Sequence, residues 1–188
     1  YGYKKVTQLK LAVVKKIQGF VAGGGFMFAM CTATDTYDVA LAADGVDIVD
    51  YMFDGDPLES NAQGKLNYNN TFAFKNFKIK PNPTEVEFSD IDMQDRERGL
   101  NEKTDFFKLF EFSAKWDPIP TMLTQNHEKT IHGFMGQTTA FRKELIKSNV
   151  IIMGETKSVG EARYIHGIVG KGQWTFYGGH DPEDYKHM

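Results

Sequence analysis

Five apolar residues in a row, Phe26-Met27-Phe28-Ala29-Met30, run directly into the only cysteine of the chain, Cys31. A short, unbroken apolar run after Gly23-Gly24-Gly25 reads as a strand buried on both faces. Such a strand needs cover on each side, and helices flanking a largely parallel sheet supply it. Thr32 and Asp35, three apart, then stand before Tyr37-Asp38-Val39-Ala40-Leu41-Ala42-Ala43 as a helix-start signature. The sequence therefore predicts strand, cysteine and helix with almost nothing between them. At such a turn a side chain projects above the carboxyl edge of the sheet, beside the positive end of the helix.

The rest of the chain fits around that unit. Val6, Leu9, Val13 and Ile17 recur at helical spacing with lysines between them, predicting an amphipathic helix over about 4–18 that Gly19 ends. Val46–Val49 reads as the next strand. The stretch from 53 to about 115 reads as an insertion in one domain. It holds turn material at Asp54-Gly55-Asp56-Pro57 and Asn67–Asn70, then Phe72, Phe74, Phe77 and Ile79 in near alternation, as one or two strands would show. Phe106–Phe112 fits helix or strand equally. Gln137–Ser148 suits a helix with Phe141, Leu145 and Ile146 on one side, and Val150–Met153 a strand. Arg163–Val169 and Gln173–Tyr177 read as a hairpin about Gly170-Lys171-Gly172. Alternating helices and apolar strands predict an α/β sheet with an antiparallel hairpin near its edge.

Composition excludes several classes. At 188 residues the chain suffices for one domain with a sizeable core, and 41% apolar with 25% charged residues is the balance of a globular chain, not a disordered one. A net charge of −3 gives no global basic field for nucleic acid, and Lys4, Lys5, Lys10, Lys15 and Lys16 read as the wet face of the first helix. No apolar run approaches the roughly 20 residues of a membrane span. One cysteine excludes an intrachain disulfide framework and a multi-cysteine zinc knuckle. The chain opens at Tyr1 with no visible signal peptide and reads as the interior of a longer protein, with cytosol and periplasm both open. The expected partners are a small-molecule substrate, amide or sugar-related, and either a second copy or the rest of the parent chain.

Cys31 is the candidate nucleophile, since a helix N-terminus favours the thiolate. The N–H groups of Gly24, Gly25 and Thr32 are candidate oxyanion donors. His180, just beyond a strand end, is the candidate general base, and Asp181 or Glu183 the group that orients its imidazole. His127, in Gln125-Asn126-His127, either lines a pocket or caps a turn. His127 and His132 are five apart, about 140° around a helix at 100° per residue, so they cannot grip one ion. Asp90, Asp92 and Asp95 lack the glycine of a calcium loop and read as a solvated acidic loop. Trp116, Trp174 and Tyr177 fit either strand core or a sugar platform. No metal or cofactor is called for.

The elbow at Cys31, followed much later by Gly170-Lys171-Gly172-Gln173-Trp174-Thr175-Phe176-Tyr177-Gly178-Gly179-His180-Asp181-Pro182-Glu183, resembles the class I glutamine amidotransferase-like superfamily, and its ThuA-like (trehalose-utilisation) branch most closely. The segment Phe26–Thr36 is similar to a bacterial group of that superfamily often labelled asparagine synthetase B-like. The resemblance covers about 20–50 and 150–185. It implies a flavodoxin-like, mostly parallel sheet with flanking helices and, in catalytic members, a Cys-His-Glu triad that releases ammonia from glutamine. Cys31 would be its nucleophile and His180 its base. Ala29 and Ala33 replace the usual elbow glycines, and Pro182 holds the usual place of the acid, with Glu183 one step further. ThuA-like members without a working triad imply an alternative, a non-catalytic carbohydrate- or metabolite-binding module.

Overall fold

The computed structural model describes residues 2–93, 98–110 and 129–179. Its centre is a seven-stranded mixed sheet curled into a half-barrel. The strands are β1 (Phe26–Met30), β2 (Phe106–Leu109), β3 (Thr130–His132), β4 (Phe141–Arg142), β5 (Ile151–Thr156), β6 (Glu161–Val169) and β7 (Gly172–Tyr177). They lie in the order β1-β7-β6-β5-β2-β3, with β4 also paired to β6.

A flavodoxin-like, mostly parallel α/β arrangement is thereby overturned. Among the described strands, only β1 and β7 run parallel, and every other pair is antiparallel. The connections decide this. A parallel pair needs a crossover of about a dozen residues or more, whereas 157–160 and 170–171 are tight turns that can only reverse the chain. The hairpin over β6 and β7 follows the sequence expectation, and Gly170 takes φ 60 in its turn. That turn docks on the first helix: Lys171 N–H donates to the Ala22 carbonyl at 2.9 Å, and a Cβ on Gly172 would lie 1.9 Å from the Val21 oxygen.

Two helices cover one face of the sheet. Helix α1 (Val6–Ala22) packs on β7 and β1 and on α2 (Ala33–Ala42). α1 runs further than expected and turns Val14 and Val21 inward, while Val13 is half exposed. The core between helices and sheet joins Leu41, Phe72, Phe74, Phe141, Trp174 and Phe176. Trp174 and Tyr177 thus stand in the sheet; Trp174 is buried and Tyr177 half-buried. With one face covered, β1 is not buried on both sides: Phe26 is 52% and Phe28 48% exposed on the open face.

Three other expected elements are absent. Val46–Val49 is irregular, and 72–79 meets neighbours only through isolated bridges, Phe74 with Ile146 and Ile79 with Ser89. Residues 137–148 form no helix. Thr138 adopts φ 57, which no helix accommodates, and the segment becomes β4 followed by a 3-10 turn over Lys143–Leu145.

A fully buried polar frame holds the irregular parts to the sheet. Both Asp38 oxygens are used: Oδ1 accepts the N–H of Phe72 at 2.7 Å, and Oδ2 those of Ala73 and Phe74 at 2.8 Å each. Burial still pushes the Asp38 carboxyl up to about 6, against those three donors and the Lys147 charge. Arg98, Asp105, Glu161 and Arg163 form a cluster with no exposed side chain. Arg98 donates to Glu161 (2.6 and 2.9 Å) and to Asp105 (2.5 Å), and Arg163 pairs with both acids. Among the described residues, two positive and two negative charges face one another, and such pairing is the condition for burying ions at all.

Candidate functional site

The carboxyl ends of β1 and β7 share one rim, because the two strands are parallel with Met30 opposite Tyr177. Cys31 leaves β1 there with φ 54, and α2 begins two residues later. Among the described residues, four non-glycine positions have positive φ: Cys31, Asn61, Asn76 and Thr138. Asparagine visits this region readily, whereas cysteine and the β-branched threonine do not. Those two are neighbours across the rim, since the Cys31 thiol donates to the Gln137 carbonyl at 3.7 Å, one residue before Thr138. Backbone held in sparse conformations gathers at functional sites.

The sheet explains why this turn reaches the cysteine. β7 pairs with β6 from Tyr164 onward, while β4 pairs with Ala162 and Glu161, so β4 takes up the place beside β6 that β7 has vacated. The 136–140 turn before β4 therefore lies at the end of β7. Two buried groups fix it. Asp92 Oδ2 accepts the Thr138 N–H at 2.5 Å, and Arg163 Nη1 donates to the Thr139 carbonyl at 2.6 Å. The chain leaving β7 passes between these groups: Gly178 N–H donates to the Arg163 carbonyl at 2.6 Å, and a Cβ there would lie 2.3 Å from the Thr139 oxygen. Gly178 is glycine because backbone passes backbone.

Beneath the elbow, α2 carries buried polar groups. Thr34 Oγ1 donates to the Cys31 carbonyl at 2.8 Å. Asp35 is fully buried, with Ser89 Oγ at 3.5 Å from Oδ2 and no partner for Oδ1. Burial pushes the Asp35 carboxyl up to about 7, and the Asp92 charge adds to this. The helix-start reading of Thr32 and Asp35 fails here in detail. Thr32 makes no side-chain cap, and Asp35 turns into the protein instead of facing solvent in the first turn.

The oxyanion candidates separate. Thr32 follows the thiol at once, and its N–H precedes any intrahelical acceptor. Gly24 and Gly25 lie before β1, at its opposite end, roughly 17 Å away at about 3.3 Å per residue. Their N–H groups are engaged, with Val21 (2.9 Å) and Phe20 (3.0 Å) carbonyls. The loop closes α1 and does not reach Cys31. His127, His180, Asp181 and Glu183 lie outside the described residues; Gly179, which precedes His180 in the chain, is buried at the rim. His132 is exposed on β3, with a ring nitrogen 2.7 Å from the Glu102 carbonyl.

Among the described residues, no group of three His, Cys, Asp or Glu side chains could hold a metal ion, and no helix is long and apolar enough to cross a membrane. Comparison with protein-family models, curated proteins and solved structures finds no match to the chain. Sequence reasoning passed over Gln137 and Asp92 as site residues. Gln137 contributes a backbone carbonyl, which leaves no mark in a sequence, and Asp92 sat in an acidic stretch read as solvated although it is 3% exposed.

Proposed function

We propose that this chain is a cysteine-dependent amidohydrolase of the glutamine-amidotransferase type. The observation that carries the reading is the left-handed backbone of Cys31 between a strand and a helix. It lifts the sulfur off the sheet edge and sets the following N–H, that of Thr32, beside it. In the reaction the sulfur adds to the carbonyl carbon of a primary carboxamide, forming the C–S bond, while the Thr32 N–H donates to the developing oxyanion. His180 takes the thiol proton and returns it to the leaving nitrogen as the C–N bond breaks, releasing ammonia; Glu183 or Asp181 orients the ring. Water then hydrolyses the thioester. His180 is assigned from the sequence, where it follows the β7 end that faces the cysteine across the rim.

Glutamine and simple primary carboxamides are the probes, with ammonia release as the readout. Cys31→Ala and His180→Ala should each lower the rate at least a hundredfold. Ammonia release that survives Cys31→Ala overturns the proposal.

The alternative, a carbohydrate-binding module, is favoured by one observation. An open cleft of about 590 Å³ away from the rim is lined by Asn67, Asn69, Asn76, Ser148 and Asn149, amide and hydroxyl groups suited to sugar hydroxyls. Sugars that raise the melting temperature of wild type, and equally that of Cys31→Ala, would favour this reading. No thermal shift with any sugar at millimolar concentration removes it.

A further inference from the structure

Thr138 is fully buried and holds φ 57, a conformation its branched side chain opposes. Something outside the residue must keep it there. Asp92 supplies that hold, through the 2.5 Å bond from the Thr138 N–H to Oδ2. Asp92 is itself fixed by backbone: it bridges Phe141, and the next residue's N–H, that of Met93, donates to the Ala140 carbonyl at 2.7 Å. On the far side of the turn, Thr139 Oγ1 donates to the Gly136 carbonyl at 2.9 Å and Arg163 grips the Thr139 carbonyl. With both ends pinned, the Gln137 carbonyl is held where it accepts from Cys31 Sγ at 3.7 Å.

We infer that Asp92 is a positioning residue for Cys31: by clamping Thr138 in its left-handed conformation, it aims the Gln137 carbonyl at the thiol and keeps the S–H engaged as a donor in the resting protein. The inference rests on the nucleophilic role proposed for Cys31 and adds a regulation of that site. A carbonyl can accept a proton donor but offers nothing to a thiolate, so the contact must break before the sulfur attacks. A carboxamide substrate can take over the contact, because its N–H₂ donates where the thiol did. The turn is then a gate on reactivity set by a side chain that touches neither sulfur nor substrate. The charged and titratable groups on the elements meeting at the elbow are Asp35, Tyr37 and Asp38 from α2, Asp90 and Asp92 from the 89–93 segment, Glu161, Arg163, Tyr164 and His166 from β6, and Tyr177 from β7; the 136–139 turn brings none.

The test measures the rate of Cys31 labelling by iodoacetamide against pH, on the full chain. Asp92→Asn keeps the shape but replaces a charged acceptor by a weaker neutral one. It should label about threefold faster than wild type near pH 7, and Asp92→Ala up to about tenfold faster, the range of one lost hydrogen bond. Adding Thr138→Gly to Asp92→Asn should move the profile back towards that of wild type, because glycine adopts φ 57 without the steric penalty that the clamp offsets. A purely structural role would lower stability in the single variant and leave the labelling profile where it was. The inference is overturned by an unchanged profile in Asp92→Asn, or by a shift that Thr138→Gly does not reverse. Ammonia release is followed on the same samples. Wild type that releases none while Asp92→Asn shifts the labelling profile refutes the amidohydrolase reading and supports the clamp.

Discussion

Replacing Asp35 by asparagine should make the protein more stable at alkaline pH and leave it almost unchanged in acid. The carboxyl is fully buried with one oxygen unpartnered, and its folded-state value is pushed up to about 7 by burial first and by Asp92 second. In the unfolded chain the same group titrates near its ordinary value of about 4. Between about pH 4 and about pH 7 the folded protein therefore holds a proton that the unfolded chain has released. Stability falls as pH rises through that window, and the full cost is present above it. About three pH units at 1.36 kcal/mol each give on the order of 4 kcal/mol. Asparagine has no charge to form, so the variant escapes this loss. Urea unfolding followed by the fluorescence of the two tryptophans, Trp116 and Trp174, at about pH 4, 6 and 8 measures it. The difference between variant and wild type is the quantity to plot, because it cancels other titrations such as that of Asp38. It should rise from near zero to about 4 kcal/mol in favour of the variant. A flat difference, or one that favours wild type at pH 8, would refute the reasoning.

Two further outcomes follow from the buried frame and the elbow. Arg98→Met removes a cation from the buried cluster and leaves Asp105 and Glu161 with Arg163 as their cation among the described residues, so denaturant unfolding should register a loss of about 3–5 kcal/mol; a loss under about 1 kcal/mol would mean the cluster does not carry its charges. At the elbow, Cys31→Gly should be more stable than Cys31→Ala by about 1 kcal/mol in thermal unfolding, since only alanine keeps a Cβ at φ 54. If alanine proves the more stable, the elbow is not under conformational strain.

The parts that were legible in the sequence are those whose cause is local. The run from Phe26 to Met30, the break at Cys31 and the apolar helix after it stand where the residues place them, and the glycines at 170–172 mark the hairpin turn. Strand direction was not legible, because a buried apolar run looks alike in a parallel and an antiparallel ladder. Phe141, Leu145 and Ile146 have helical spacing yet reach the core from a two-residue strand and a 3-10 turn, where the clamp on Thr138 overrides local preference. The same is true of the site. Cys31 announces itself by residue type, whereas Gln137 acts through its main chain, and Asp92 gains its role only from the segment that tertiary packing lays against it.

Phe26 and its partner Gln173 stand 147 positions apart (173 − 26). Closing so wide a span is disfavoured entropically until other contacts have gathered its ends, so β1 joins the sheet after local units such as the β6–β7 hairpin have formed. Before that docking step Cys31 sits at the end of an unpaired ribbon, with no turn opposite it and no fixed backbone angle. The newly made polypeptide thus carries Cys31 without its left-handed turn, which is set only as the β1–β7 ladder zips shut.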